Sequence, residues 1–159
     1  MTRKEKAMSY FREGYNCSQA IMLTFIDLID IDESTALKIS CSFGGGMGRL
    51  REVCGAFSAA IMVAGLIYGY DDVTDASLKK EQYKRVQELA SLFRDANKSH
   101  GASEGSIVCR ELLGLNKGEN EGGEPSERTK EYYAKRPCEE IIGNAAEILE
   151  TYINEHPYK

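Results

Sequence analysis

Five cysteines, at positions 17, 41, 54, 109 and 138, are the residues of this sequence best suited to chemistry. No two of them form a Cys-x-x-Cys pair, so the local signature of zinc fingers and thioredoxin-type sites is missing. His100 and His156 lie apart, without the His-Glu-x-x-His spacing of a catalytic zinc site, and we interpret each as a helix-end residue. Cysteines that act together here must therefore be brought together by tertiary structure.

The helices that would position these cysteines are indicated by apolar residues recurring at helical spacing, since strand-like alternation never persists beyond a few residues. We predict an all-α, single-domain bundle of about six to seven helices over residues 1–159. The helices are predicted at residues 3–13, 17–29, 33–43, 51–68, 76–99, 107–113 and 137–154. Residues 116–128 have no large apolar side chain and predict a mobile polar loop, about 116–130, because they bury too little surface to offset their ordering entropy.

Three cysteines fall in the predicted first turn of a helix. Cys17 follows the capping residue Asn16, and Cys138 follows Pro137, a residue type favoured at the first helical position. Cys109 comes three residues after a serine that would cap the helix at 107–113. Because a helix N-terminus carries positive potential, we expect the pKa of these thiols to be lowered. The resulting thiolates are both the nucleophiles of disulfide exchange and good metal ligands.

Cys54 is predicted early in its helix, directly behind the glycine-rich segment 44–48. That segment lacks the Gly-x-x-x-x-Gly-Lys-Ser/Thr pattern of a phosphate-binding loop, so we expect it to allow a close backbone approach beside Cys54. Small residues in the helix that follows predict a central, buried position. Arg49 and Arg51 either supply positive charge near Cys54 or belong to a solvated loop. Cys41, near the C-terminal end of its helix, is interpreted as a core residue or a bystander.

Charge and hydropathy exclude several classes of partner. The net charge of −5 gives no general attraction to phosphate backbones, so we expect no nucleic-acid partner. The longest uncharged apolar run, residues 53–68, is shorter than the roughly 18–20 residues that cross a bilayer, so we expect no membrane insertion. The first ten residues lack the apolar region of a secretory signal, so we expect a cytoplasmic protein with reduced thiols. A homodimer would cover any exposed apolar faces.

The order of several short segments resembles that of the C_GCAxxG_C_C family of redox-active proteins, over nearly the whole chain. These segments are Asn16–Ala20, Phe43–Arg49, Cys54–Ala59, Cys109–Gly114 and Pro137–Cys138. The resemblance implies that the four characteristic cysteines of the family are Cys17, Cys54, Cys109 and Cys138, with no place for Cys41. Ala59 stands where the family motif ends in glycine, which adds a methyl group beside Cys54 and removes no reactive atom. The resemblance brings no substrate with it.

Three functions are compatible with these residues. The first is thiol–disulfide chemistry with a redox partner protein or a small thiol or disulfide, with Cys17 and Cys54 as the preferred reacting pair. The second is a binding module in which Cys17, Cys54, Cys109 and Cys138 hold an iron–sulfur cluster or zinc. The third is an interaction protein whose cysteines merely pack.

Overall fold

The computed structural model describes residues 1–101, 104–115 and 122–158. The described residues form helices and contain no β-strand beyond one isolated bridge, so the all-α prediction is confirmed. Two short 3₁₀ turns, Ile26–Leu28 and Cys41–Phe43, follow the second and third helices. The helices are α1 (Arg3–Arg12), α2 (Cys17–Thr24), α3 (Glu33–Ser40), α4 (Gly44–Met47), α5 (Gly55–Tyr68), α6 (Ala76–Ala96), α7 (Cys109–Leu112), α8 (Lys130–Lys135) and α9 (Cys138–Glu155).

Side-chain caps fix the start of several helices. Thr2 and Asn16 each form a complete capping box. The side chain of the capping residue accepts from the backbone N–H three residues on, and the side chain of that later residue accepts from the backbone N–H of the capping residue. Asp32, Asp75 and Thr129 cap α3, α6 and α8 by accepting from backbone N–H groups. Caps of this kind satisfy the N–H groups that a helix leaves without an internal partner. They explain why these helices begin where polar residues precede an apolar stretch.

Helix α5 is the central element, as its small residues predict. It packs against α2, α6 and α9. Its small side chains lie almost wholly out of solvent, and on the α6 side Phe57 packs against Phe93 with ring centroids 5.5 Å apart. The buried alanines are Ala56, Ala59, Ala60 and Ala64. In the described part of the chain, no helix is both long enough and apolar enough to span a membrane.

The remaining core is formed by the apolar faces of the other long helices. On α6, Leu89, Ala90 and Phe93 are buried, and on α1 Ala7 and Phe11 are buried. Helix α1 packs against α9 and α2. The two histidines lie at helix ends, as predicted. His156 caps the C-terminus of α9, and His100 follows α6, where its N–H donates to the Asn97 carbonyl.

Two helices begin later than predicted, and tertiary hydrogen bonds explain both differences. The segment 51–54 is not the first turn of α5, because it runs alongside residues 107–109 through an antiparallel bridge between Val53 and Val108. The Cys54 N–H donates to the Ile107 carbonyl at 2.7 Å. Helix α7 consequently begins at Cys109 instead of residue 107. Backbone groups committed to another segment are not available for a helical turn.

The segment predicted as a mobile polar loop lies partly outside the described residues, since positions 116–121 are not described. From position 122 the chain approaches α8, a helix that the sequence pattern did not predict. Arg128 attaches this part of the chain to the bundle, donating to the carbonyls of Phe11 at 3.0 Å and Tyr15 at 3.3 Å. Its guanidinium also lies 4.2 Å from the Phe11 ring centroid. Residues 128–135 therefore contact the same end of the molecule as the start of α2.

Candidate functional site

Cys17, Cys54, Cys109 and Cys138 all stand at the start of a helix. Cys17, Cys109 and Cys138 are the first residues of α2, α7 and α9, and Cys54 is the N-cap of α5. Asn16 fixes the start of α2, because its side-chain oxygen accepts the Gln19 N–H at 2.9 Å. The predicted placement of the cysteines at helix starts is therefore correct.

Pairing between two distant segments brings the start of α5, at Cys54, next to the start of α7, at Cys109. The Cys54 N–H donates to the Ile107 carbonyl, and the Cys109 N–H donates to the Glu52 carbonyl at 2.6 Å. Together with the Val53–Val108 bridge, these bonds hold the start of α5 against the start of α7. The two cysteines are far apart along the chain, so local sequence patterns do not report this contact.

One cavity of about 80 Å³ is lined by all four of these cysteines. Its apolar wall includes Phe11, Leu112 and Ile142, and its polar wall includes Arg51 and Arg128. Cys54 and Cys109 are each only 8% exposed, whereas Cys17 and Cys138 are half-buried. We call this space the four-cysteine cavity. The structure thus brings together the four cysteines singled out in the sequence.

Glycines let the backbone approach these sulfur atoms closely. A β-carbon at Gly55 would contact the Cys17 Sγ atom and lie 2.6 Å from the Phe43 carbonyl oxygen. A β-carbon at Gly46 would lie 2.7 Å from the Cys109 β-carbon. Gly46 also has a φ of +64°, which favours glycine. The close approach predicted for the glycine-rich segment is therefore present, against Cys109 as well as the start of α5.

The fifth cysteine lies outside the cavity. Cys41 follows α3, is exposed, and has its Sγ atom 3.1 Å from the Lys38 carbonyl oxygen. It is not among the residues that line the four-cysteine cavity. The interpretation of Cys41 as a core residue is wrong, because the 3₁₀ turn after α3 leaves its side chain on the surface. Its interpretation as a bystander agrees with this position.

The expectation that helix starts lower the pKa of these thiols is wrong for three of them. Burial raises the pKa of Cys17 and raises that of Cys54 well above its usual range. Burial, together with negative charge on Cys17 and Cys109, raises the pKa of Cys138 to about 12. Backbone N–H groups oppose the effect at Cys17, those of Gly45 and Ser18 included, but loss of water outweighs them. At rest these three groups are therefore neutral thiols at neutral pH.

One arginine side chain reaches into the cluster. Arg51 is only 6% exposed, and its Nη1 atom donates to the Cys109 Sγ atom at 3.7 Å. Its positive charge also lowers the pKa of Cys138. The sequence places Arg51 near Cys54, whereas the structure directs its guanidinium to Cys109. Arg51 has a φ of +62°, so the backbone is turned sharply where the side chain enters the cavity.

Sequence reasoning missed the contribution of α8 and of Arg128, two residues before it. Arg128 and Tyr132 both line the four-cysteine cavity, and the Arg128 guanidinium lies 5.3 Å from the Tyr132 ring centroid. Arg128 ends a strongly polar run, which favours a solvated segment. The one available signal is the tyrosine pair that follows it, because arginine packs well on aromatic rings at helical spacing.

The described residues do not form a ready-made metal site. Among residues 1–101, 104–115 and 122–158, no three His, Cys, Asp or Glu side chains are placed so that they could hold one ion. The five cysteines are all free thiols, so they form no disulfide with each other. The four cysteines that line the four-cysteine cavity are thus free thiols in this structure. Holding a metal or cluster would require its sulfur atoms to move.

Alkaline pH is expected to destabilise the reduced protein through the buried thiols. Because the pKa of Cys138 rises to about 12 on folding, its neutral form contributes stability that is fully present below pH 9 and is lost as the pH rises toward 12. Other buried thiols and tyrosines titrate in the same direction, so the effect of one group must be isolated by difference. Cys138→Ser should show a smaller fall in the free energy of unfolding than the parent protein over this range, measured by urea unfolding under reducing conditions. Equal falls in both proteins would contradict the burial of the Cys138 thiol.

Comparison with known proteins agrees with the geometry. A family model described as "Putative redox-active protein (C_GCAxxG_C_C)" matches residues 15–152, a range that includes the four cavity cysteines. No curated protein and no solved structure matches the chain. Since the match covers nearly the whole sequence, the chain belongs to the C_GCAxxG_C_C family.

Proposed function

We propose that this chain is a cytoplasmic thiol–disulfide redox protein whose reacting groups are Cys17, Cys54, Cys109 and Cys138. The observation that carries the proposal is that these four thiols line one cavity while Cys41 lies outside it. The family's description as redox-active supports the same chemistry. The partner is a redox protein or a small thiol or disulfide. Reduced thiols that share one cavity suit a dithiol that exchanges electrons with such a partner.

Cys17 is the proposed attacking group. Its side chain is half-buried, so a substrate can reach it more easily than Cys54 or Cys109. Backbone N–H groups, including that of Gly45, favour its thiolate and partly offset the effect of burial on its pKa. As a thiolate, Cys17 attacks one sulfur of a substrate disulfide. A Cys17–substrate S–S bond forms, the substrate S–S bond breaks, and the departing thiolate takes up the proton that Cys17 released.

Cys54 is the proposed resolving group. After burial, which is the main cause, negative charge on Cys17 also raises the pKa of Cys54, and the Cys17 Sγ atom lies against Gly55, the residue after Cys54. The Cys54 thiolate attacks the Cys17 sulfur of the mixed disulfide and displaces the second half of the substrate as a thiolate, which takes up the Cys54 proton. The protein dithiol loses two electrons and two protons, and the substrate disulfide gains both.

We assign Cys109 and Cys138 to a second dithiol of the same cavity. Negative charge on Cys109 raises the pKa of both Cys17 and Cys138. We infer from this that a disulfide formed at Cys17 lies near the second pair of cysteines. Arg51 donates to the Cys109 sulfur. Attack of the Cys109 sulfur on Cys17 of the Cys17–Cys54 disulfide would form a Cys17–Cys109 disulfide, and Cys54 would leave and take up the proton that Cys109 releases. Attack of the Cys138 sulfur on Cys109 would then form a Cys109–Cys138 disulfide, and Cys17 would leave and take up the Cys138 proton.

A cluster or zinc site is the competing function. Four cysteines suit an iron–sulfur cluster or tetrahedral zinc in number. The described side chains are not placed around a common ion, which favours the dithiol function. The same four residues would serve both functions, so the experiment must separate them.

The test uses Cys41→Ser protein purified anaerobically, because the exposed Cys41 would otherwise react on its own. We expect a colourless protein without stoichiometric metal. Treatment with hydroxyethyl disulfide should then remove two or four thiols and leave intramolecular disulfides, as shown by intact mass and peptide mapping. Brown protein with stoichiometric iron, or one bound zinc per chain, would overturn the dithiol function in favour of the binding module. If all four thiols remain unreacted, the cysteines serve only in packing and the dithiol function is overturned.

A further inference from the structure

Asn16, the N-cap of α2, contacts two separate segments through its side-chain amide. The amide oxygen accepts the Gln19 N–H at 2.9 Å and so caps the helix that begins at Cys17. The amide nitrogen donates to the Cys41 carbonyl at 3.0 Å, in the 3₁₀ turn that follows α3. Among the residue types that cap helices well, asparagine alone has an NH₂ group besides an acceptor oxygen. This residue therefore joins the end of α3 to the start of α2.

The chain soon after Cys41 forms a left-handed turn. All five residues from position 45 to position 49 have a φ between +57° and +75°. Two of them, Met47 and Arg49, carry side chains and rarely adopt this conformation, so contacts elsewhere must keep the turn in place. At its far end, the backbone N–H groups of residues 51 and 52 donate to the carbonyls of residues 45 and 46. On its near side, the Cys41 carbonyl is bound by Asn16.

The left-handed turn supplies a hydrogen-bond donor to the proposed attacking sulfur. Burial raises the pKa of the Cys17 thiol, and the backbone N–H groups of Gly45 and Ser18 act against this effect. The Ser18 N–H belongs to α2 itself, whereas the Gly45 N–H comes from the turn. Gly44 lies against the cap of α2, because a β-carbon there would be 2.5 Å from the Asn16 Nδ2 atom. The position of the Gly45 N–H therefore depends on Asn16.

We propose that Asn16 is a positioning residue for Cys17. By holding the segment after α3 in place, it keeps the Gly45 N–H directed at the Cys17 sulfur, where this group stabilises the negative charge that forms during attack on a disulfide. A donor that is fixed before the charge appears needs no reorganisation when the reaction occurs. The inference rests on the proposed function, in which Cys17 is the attacking group.

Asn16→Ser separates the two contacts of this side chain. Serine caps a helix about as well as asparagine, but it is shorter and has no NH₂ group to donate to the Cys41 carbonyl. The rate of Cys17 alkylation by iodoacetamide, which reacts with the thiolate and needs no redox step, is followed across neutral and alkaline pH by peptide mapping. The parent is Cys41→Ser protein, in which the carbonyl of residue 41 is retained. We expect Asn16→Ser to lower the rate at neutral pH by about threefold or more and to displace the pH profile upward.

The direction of the change distinguishes positioning from a loss of folded structure. Burial is the main cause of the raised pKa of Cys17, so local opening would let water reach the sulfur and would speed alkylation. Loss of the Gly45 N–H has the opposite effect, because the thiolate loses a donor. An unchanged or faster rate in folded Asn16→Ser protein would overturn the inference.

Gly44→Ala perturbs the same contact from the other side. The added methyl group would meet the Asn16 amide, while the Gly44 φ of −62° suits alanine. We expect slower Cys17 alkylation in this variant as well. The controls are Gly65→Ala, whose added methyl group has no heavy atom within 4 Å, and Asp75→Ser, an exposed cap of α6. If urea unfolding shows that only one of the two test variants folds, that variant decides, and a rate equal to that of the controls overturns the inference.

Hydroxyethyl disulfide separates this inference from the proposed function. We expect Asn16→Ser to slow the loss of thiols to this disulfide by a factor similar to that for alkylation, since the same sulfur reacts. Slower alkylation in the variant, with no disulfide consumed by either protein, would support the positioning by Asn16 and overturn the proposed function. Consumption of the disulfide at equal rates by both proteins, with equal alkylation of Cys17, would overturn the positioning alone.

Discussion

Replacement of Gly55 by alanine is expected to lower the free energy of unfolding by about 1–3 kcal/mol. The added methyl group would press on the Cys17 Sγ atom and lie 2.6 Å from the Phe43 carbonyl oxygen. Neither neighbour can move freely, because one is backbone and the other is a side chain fixed in the first turn of α2. Displacement of Cys17 should also slow its reaction with disulfides. Urea unfolding and the rate of thiol loss measure the two effects.

Gly65 provides the matched control on the same helix. A β-carbon at Gly65 has no heavy atom within 4 Å, so Gly65→Ala introduces the same chemical change into open space. Because alanine favours helix over glycine by up to about 1 kcal/mol, this variant should be neutral or more stable than the parent. A similar loss of stability in both variants would show that Gly55 does not lie against the Cys17 sulfur.

Removal of Cys54 is expected to trap a mixed disulfide. In Cys41→Ser/Cys54→Ala protein, attack on hydroxyethyl disulfide should stop with one substrate half attached to Cys17, because the proposed resolving thiol is absent. In Cys41→Ser/Cys17→Ala protein, the reaction should be slower than in the Cys41→Ser parent by about tenfold or more. Quenched samples analysed by intact mass and peptide mapping report the attachment site and the rate.

The trapping experiment distinguishes among the neighbouring thiols. Cys109 and Cys54 both lie within the electrostatic influence of Cys17. A Cys17–Cys109 disulfide in place of the trapped species would contradict the assignment of Cys54 as the resolving group. A substrate half attached to Cys138 would contradict the assignment of Cys17 as the attacking group. Urea unfolding of each variant shows whether a slower reaction reflects loss of a sulfur or loss of folded protein.

Local signals in the sequence were enough to place cysteines at helix starts. Asn16 forms the capping box of α2, and Pro137 directly precedes α9. Both signals act through backbone groups within a few residues, so they can be recognised in the sequence without knowledge of the tertiary structure. The buried position of α5 could likewise be predicted from its small side chains.

Contacts between distant segments could not be predicted from such local patterns. The bridge between Val53 and Val108 shortens two predicted helices and holds the start of α5 against the start of α7. The donation from Arg51 to the Cys109 sulfur depends on the same arrangement. No periodicity or cap encodes such pairings, because they join residues that are remote along the chain. Arg128 also depends on remote contacts, since it donates to the carbonyls of Phe11 in α1 and of Tyr15 between α1 and α2.

The direction of the pKa shifts depended on how deeply each sulfur atom is buried, and the sequence does not predict the burial of a single atom. A cysteine at a helix start gains N–H donors, and Cys17 does receive them. Burial removes the water that would solvate the thiolate form of the same sulfur. This effect is larger than that of the N–H donors, so the pKa rises. The thiols are thus protected at rest, and reactivity requires the thiolate to form while a substrate is in place.

Four cysteines from separate parts of the chain line one cavity, and we propose that their sulfur atoms lie within reach of one another. Phenylarsine oxide tests it directly, because its arsenic forms bonds to two neighbouring sulfurs and bridges them. We expect folded, reduced protein to take up one or two bridging groups, mapped to pairs among Cys17, Cys54, Cys109 and Cys138, with Cys41 unbridged. A folded protein that forms no bridge, or that bridges Cys41, would contradict the claim.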